Sequence, residues 1–412
     1  MSTEIITIGD ELLIGQVLDT NSKWIAQQLN KVGIDVCYKT TVGDVELDIL
    51  NAIKLAFSRV SIVLLTGGLG PTKDDITKNT LCKYFDTRLV FDDETLSNVE
   101  QVLKNINRNI NELTRNQAYV PEGATIIQNK MGTAPITWFE QDGKVLVSMP
   151  GVPFEMKWSM QEEVIPRLIN FFPTSDSIQH LTFWVKNYSE SALAMHLETF
   201  ERNLPDNIKL AYLPTPGLVR LRLTGKDTDK DILSDSMSSQ RKFLFDLLQD
   251  NILYEDDEAL EYKLHNLFVN NGLTLSLAES CTGGRLASLF TAIPGSSQYF
   301  KGGVVCYSNE SKINLLGVNK ETIEKEGAVS LSVVNQLVDG ACKIFNTDCS
   351  IAISGIAGPD GGTLEKPVGT VCIAVRYKDQ VSSFHFCFSH NRESNILRSC
   401  NTAMSLLLEM IS

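Results

Sequence analysis

The sequence predicts an α/β protein of several domains, and three observations predict it. Apolar runs of strand length alternate with segments of helical spacing over residues 1–172, and the same alternation returns over 253–412. Between them, 173–252 carries a different order of elements, a small α+β unit. At ~100–200 residues per domain, the 412-residue length accommodates this division.

In the first region Glu4–Gly9 reads as a strand and Asn21–Val32 as a helix with Trp24, Ile25, Leu29 and Val32 on its apolar side. Asp35–Val42 follows as a strand, Leu47–Ser58 as a helix, and Ser61–Leu65 as a buried strand running into Thr66-Gly67-Gly68-Leu69-Gly70-Pro71. A polar helix spans Asp93–Arg115, and Val145–Met149 is a strand ending at Pro150-Gly151. Strands separated by helices argue a parallel sheet. Pro173, Thr174 and Ser175 mark a linker. The middle unit has a strand at Leu181–Val185, a helix at Ser189–Phe200, a hairpin-like pair at Ile208–Leu213 and Leu218–Thr224, and a helix at Lys230–Leu248. The acidic run Glu255–Glu258 is a solvated connector. The last region has strands at Leu273–Ala278, Gly303–Tyr307, Cys349–Ser354, Gly369–Tyr377 and Val381–Phe388, and Asn395–Met410 is a closing helix.

Composition excludes several classes. A net charge of −13 does not suit a nucleic-acid binder, whose affinity comes from neutralising phosphates. No apolar run reaches the ~18 residues of a membrane span. Without a basic start and apolar block for export, the expected location is cytoplasmic. The nine cysteines are odd in number and lack C-x-x-C spacing, which argues against a disulfide framework or a zinc site. No histidine occurs in 1–172, so a metal there would use carboxylates, backbone or water.

The strongest constellation begins at Glu279-Ser280-Cys281-Thr282-Gly283-Gly284-Arg285, between a strand and the helical run Leu286–Ala292. A hydroxyl on such a turn is exposed above the sheet edge, and the first N–H groups of the helix, from Thr282 and Gly283, are placed to hold an oxyanion. Ser280 alone reads equally well as a helix cap. A second cluster, Gly302-Gly303-Val304-Val305-Cys306-Tyr307-Ser308-Asn309-Glu310-Ser311-Lys312, offers two activating bases, Lys312 or Tyr307. Burial lets a lysine lose its proton near neutrality; an exposed helix position is the ordinary alternative. Cys281 is an alternative nucleophile, with packing the preferred reading. A third cluster runs from Ser354 through Gly355, Ala357, Gly358, Gly361 and Gly362 to Lys366-Pro367-Val368-Gly369-Thr370; so much glycine after a buried strand suggests a backbone cradle for a phosphate, or else a surface loop.

Together these motifs resemble the C-terminal domain of the CinA family. The resemblance implies a PncC-type nicotinamide mononucleotide deamidase, with Ser280, Tyr307 and Lys312 catalytic. It implies Glu279, Thr282, Gly283, Gly284, Asn309, Gly355, Ala357, Gly358, Gly361, Gly362, Lys366 and Arg392 around the substrate, and no cofactor. One departure is Ser389-His390-Asn391-Arg392, where the family commonly has Gly-Asp-Arg: the arginine is kept and the acid is not.

The N-terminal loops also point to a ligand. Thr66–Thr77 places glycines before a helix, which suits a phosphate, and Asp74 and Asp75 could hold a divalent cation bridging it. An acidic first turn favoured by the helix dipole is the simpler reading. Gly9-Asp10-Glu11-Leu12-Leu13 and Met149-Pro150-Gly151-Val152-Pro153 end neighbouring strands, where open α/β sheets bind ligands. Asp19-Thr20-Asn21 is placed to cap the first helix. These segments are similar to the molybdopterin-binding fold. In the CinA family this implies ADP-ribose pyrophosphatase activity with Mg, Mn or Co, giving AMP and ribose 5-phosphate. Asp10, Glu11, Gly67, Gly68, Gly70, Thr72, Pro150, Gly151 and Glu155 would bind the nucleotide, with Asp74 and Asp75 at the metal. The middle unit resembles a KH-type module but shows no G-x-x-G clamp, so nucleic acid is not an expected partner. Family resemblance also implies a homodimer. Two other readings stay open: a nucleotide-binding protein without turnover, and an enzyme of the molybdenum-cofactor pathway.

Overall fold

The computed structural model describes residues 2–72, 75–172, 177–388 and 391–412. The chain divides into two compact units, Met1–Ile178 with Asp227–Lys230, and Gln179–Lys226 with Asp231–Ser412. The middle four-stranded sheet belongs to the second unit.

In the first unit, strands β1 (Ser2–Ile8), β2 (Asp35–Val42), β3 (Ile62–Thr66), β6 (Thr125–Ile127), β7 (Ile136–Gln141) and β8 (Lys144–Met149) form one sheet in the order β2-β1-β3-β8-β7-β6, with β4 (Leu89–Phe91) and β5 (Tyr119–Pro121) as a separate ribbon. β2, β1, β3 and β8 are parallel, as expected. β7 and β6 extend the sheet antiparallel and were not assigned from the sequence. Their signal was present: Asp142-Gly143 joins β7 to β8 with φ of 51° and 72°, the left-handed pair a two-residue hairpin turn requires. Every residue of β3 is buried, because helices cover both faces. The polar helix over Asp93–Arg115 is two helices, Asp93–Asn105 and Glu112–Arg115; Asn107 at φ 54° ends the first turn sequence and the Asn111 capping box starts the second.

In the second unit, β9 (Ser177–Val185), β10 (Ile208–Thr215), β11 (Leu218–Asp227) and β12 (Ile252–Glu255) form an antiparallel sheet in the order β10-β11-β9-β12, packed on the helices Glu190–Arg202 and Lys230–Leu248. A five-stranded sheet follows, from β13 (Leu275–Glu279), β14 (Phe300–Val305), β15 (Cys349–Gly355), β16 (Thr370–Tyr377) and β17 (Gln380–Cys387), in the order β14-β13-β15-β16-β17. β14, β13 and β15 are parallel, while β16 and β17 are antiparallel. The helix Arg392–Ile411 packs on one face and Leu331–Phe345 on the other. The parallel strands bring the ends of β13, β14 and β15 to one edge, which assembles the motifs of 279–312 and 354–370 there. All nine cysteines are free thiols. No helix among the described residues is long and apolar enough to cross a membrane.

Candidate functional site

β13 delivers Ser280 to a sharp turn, where its N–H donates to Ile353 O at 3.0 Å. The helix Arg285–Thr291 starts from Gly284, whose φ of 96° is a conformation that glycine adopts without strain. Ser280 is buried, with 8% of its surface exposed. The helix Asn309–Leu316 turns Lys312 inward until only 1% of it is exposed, so the exposed alternative is excluded. Lys312 Nζ lies 3.1 Å from Ser280 Oγ and donates to Cys306 O at 2.8 Å and Tyr307 O at 3.3 Å. Burial lowers the lysine's pKa from its ordinary value. A neutral amine has two N–H donors and one lone pair. Here the two donors meet two carbonyls and the lone pair meets the serine hydroxyl. The ammonium form satisfies the same three oxygens, so the proton can move between the two groups without rearrangement.

Several expected substrate contacts serve the turn instead. The Glu279 carboxylate accepts from the N–H groups of Gly284 (3.0 Å), Leu286 (3.1 Å) and Ala287 (2.8 Å), so it caps the helix and is not free for a ligand. Gly283 N–H donates to Ser280 O at 3.1 Å, which removes it as an oxyanion donor. Among the described residues the N–H groups of Cys281 and Thr282 donate to no other residue, and Thr282 Oγ1 is buried without a partner. Cys281 is also buried, and desolvation pushes its thiol up to about 12, which leaves it a packing group.

Tyr307 stands at the mouth, largely exposed, and its hydroxyl lies 3.3 Å from Arg392 Nη2. Arg392 also donates to Gly358 O at 2.7 Å, tying the glycine loop to the last helix. Asn309 is exposed at the first position of its helix. Gly355 ends β15 against Cys281 and Val371; Ala357 is buried, and its carbonyl accepts from Asn395, a fully buried residue that no motif indicated. The N–H groups of Gly361 and Gly362 donate to no described group, as a phosphate cradle requires. Lys366 does not face a ligand: its Nζ donates to Glu326 O at 2.5 Å and Val329 O at 2.8 Å. Ser389 and His390 lie outside the described residues. Asn391 caps the last helix by accepting from Ser394 N at 2.9 Å, a role asparagine fills as well as aspartate.

The N-terminal loops enclose a cleft of about 360 Å³ at the carboxyl ends of β1, β3 and β8, lined by Glu11, Gly67, Gly68, Gly70, Asp75 and Gly151 among others. Gly67 sits at φ 119°, and a Cβ there would meet Ile8 O at 2.1 Å. Asp19 caps the helix Thr20–Lys31, accepting from Ser22 N. Asn21 Nδ2 donates to Thr66 Oγ1 at 3.1 Å and Gly151 O at 2.8 Å, and Thr66 donates to Pro150 O at 2.9 Å, so one asparagine joins three loops. Its role was not foreseen because its partners are 45 and 130 residues away. Gln117 was missed for the same reason: it holds Leu69 O at 2.9 Å and accepts from Lys78, which burial lowers to about 8.

Three expectations for this cleft change. Asp75 accepts from Gly70 N (2.7 Å), Thr72 N (2.9 Å) and Thr72 Oγ1 (2.5 Å); it clamps the loop that carries Gly70 and Thr72. Asp74 lies outside the described residues, and among those described no group of three His, Cys, Asp or Glu side chains could hold a metal. Glu155 turns to Asn129, which donates to it at 2.7 Å, and burial raises its pKa. Asp10 and Asp44 bond reciprocally, each backbone N–H donating to the other's carboxylate at 3.1 and 3.2 Å.

Residues 257–411 match the family model described as CinA C-terminal domain, and residues 4–170 match the one described as Probable molybdopterin binding domain. A CinA-like protein of Flavobacterium psychrophilum is 43% identical over 100% of this chain and 99% of its own length. Another from Cytophaga hutchinsonii is 41% identical, covering 98% and 96%. The solved competence/damage inducible protein CihA from Agrobacterium tumefaciens aligns with 37% of this chain and 94% of its own at 36% identity and a TM-score of 0.37.

Proposed function

The chain belongs to the CinA family, and on that premise we propose that it hydrolyses the carboxamide of nicotinamide mononucleotide at Ser280. The observation that carries the reading is the buried Lys312 amine 3.1 Å from Ser280 Oγ. Neutral Lys312 takes the serine proton as Oγ bonds to the amide carbon. The oxyanion forms beside the N–H groups of Cys281 and Thr282. The C–N bond then breaks, with the proton passing from Lys312 to the departing nitrogen, so ammonia leaves and an ester remains on Ser280. Water adds to the ester, giving up its proton to Lys312, which returns it to Ser280 as the acid departs. Tyr307, held beside Arg392, borders the entering substrate. The unpaired N–H groups of Gly361 and Gly362 suit its phosphate. Ammonia release from nicotinamide mononucleotide tests this. Ser280→Ala is expected to reduce it by more than about 10⁴-fold, the scale of losing a serine nucleophile. A folded Ser280→Ala variant that still releases ammonia at the parent's rate would sink the assignment.

For the N-terminal cleft we propose ADP-ribose as the ligand and hydrolysis of its pyrophosphate to AMP and ribose 5-phosphate as the reaction. The support is a glycine-lined cleft at the carboxyl ends of parallel strands. A divalent cation, Mg, Mn or Co, belongs to this reading as the partner of the pyrophosphate. The homodimer expected of the family is part of the same proposal and is checked by sedimentation.

A further inference from the structure

We infer that the second unit holds a separate site for a nucleoside monophosphate, in a cavity of about 550 Å³ between the β10–β11 hairpin tip, the start of the helix Glu190–Arg202 and the last helix. The volume is within the ~300–1,000 Å³ usual for small-ligand pockets. Its walls are tied together: Asn401 Nδ2 donates to Pro216 O at 2.8 Å, which holds the hairpin tip against the last helix. It is distinct from the Ser280 turn, which contributes none of its lining.

The lining has three chemistries that match one ligand class. Phe386 and Phe388 stack on each other with centroids 5.5 Å apart and planes 12° from parallel, giving a continuous apolar surface for a flat base. Arg398 is half-buried in the wall and has no acceptor among the described residues, leaving its planar fork for a phosphate. Lys186 is already paired with Glu409 at 2.9 Å, so it does not compete for that anion. Glu190, exposed in the first helical turn, is an acceptor for ribose hydroxyls.

The test is photolabelling of the full-length protein with 8-azido-AMP, followed by tryptic mapping. Phe386 and Phe388 share the tryptic peptide 379–392, which also carries Arg392 of the Ser280 site, so the label is assigned within it by fragment-ion sequencing and label on 384–388 is what counts. The expected result is labelling of 379–392 that excess AMP suppresses, that Arg398→Gln reduces at least tenfold, and that Glu190→Gln reduces severalfold, with any N-terminal labelling unchanged. Glu190 is exposed, so that variant remains informative if Arg398→Gln fails to fold. Labelling confined to the N-terminal cleft or the Ser280 turn overturns the proposal, and so does labelling of 379–392 that neither substitution alters. Neither result depends on whether the protein releases ammonia.

Discussion

The Ser280 turn and the Gly67 loop are built on the same plan and end with opposite chemistry. Each follows a buried parallel strand, uses left-handed glycines, and leads into a helix. At Ser280 an acidic side chain, Glu279, takes up the helix N–H groups, and the open position is filled by a hydroxyl with a buried amine behind it. At Gly67 the acidic side chain, Asp75, closes the loop on itself, and the open position is a glycine-lined cleft without a comparable nucleophile and base among its described residues. In both, the carboxylate is scaffolding. The difference lies in what the neighbouring strand supplies: β14 leads to Lys312, whereas β1 leads to Glu11 and β8 to Gly151.

Lys312→Met breaks this comparison most directly, because it gives the Ser280 turn the same lack of a base. Ammonia release should fall about 10²–10⁴-fold, the scale of general-base catalysis. In the parent, activity should rise with pH through a lysine titration below the ordinary 10.5. The stability sign follows from the same shift. Between the lowered folded value and 10.5 the unfolded chain binds more protons than the folded one, so stability rises with pH across that window. Urea midpoints measured across it should lose that rise in Lys312→Met. A variant that keeps both the rate and the slope removes Lys312 from the mechanism.

Gly67→Ala attacks the other loop. At φ 119°, with Ile8 O 2.1 Å from the new Cβ, the backbone must move. We expect a loss of about 1–3 kcal/mol, the scale of a strained backbone position, with weakened ADP-ribose binding by calorimetry. Ammonia release from nicotinamide mononucleotide should not change. Equal damage to both activities would show that the two loops are not independent devices.

The strand-loop-helix order, the glycine loops and the approach of Lys312 to Ser280 were legible because each lies within a few residues of a motif or follows a strict period. The fate of the charged groups was not. Glu279, Lys366, Asp75 and Glu155 read as ligand-facing, yet each meets protein donors or acceptors. A carboxylate beside a helix start satisfies orphan N–H groups as readily as it holds a substrate, and sequence spacing is the same for both. The contacts of Asn21, Gln117 and Asn395 were hidden for a different reason: their partners are far off in sequence, and a lone amide has no pattern. The hairpin at Asp142-Gly143, by contrast, was readable from its turn dipeptide alone.

Glu279→Gln sharpens the scaffolding argument. The amide keeps one acceptor oxygen and loses both the second and the charge that favours a helix N-terminus. Stability should drop by about 1 kcal/mol, as for other capping losses. If Glu279 only positions the turn, kcat should fall about tenfold, or about 1.4 kcal/mol, while KM stays near the parent value. A large rise in KM with kcat intact would instead return Glu279 to the substrate.

Cys281→Ala should have the smallest effect, and it separates the two nucleophiles that share the turn. The thiol is buried, and its pKa is pushed up to about 12 by burial, so little thiolate exists at neutral pH. It packs within the cluster around Leu286 and Ile353. Removing the sulfur should cost about 1 kcal/mol through lost packing, read as a lower urea midpoint. Ammonia release should stay within about twofold of the parent, because its N–H, which faces the developing oxyanion in the proposed reaction, survives the substitution. A loss comparable to that of Ser280→Ala would mean that sulfur, not the hydroxyl, attacks; the 3.1 Å approach of Lys312 to Ser280 Oγ argues the reverse.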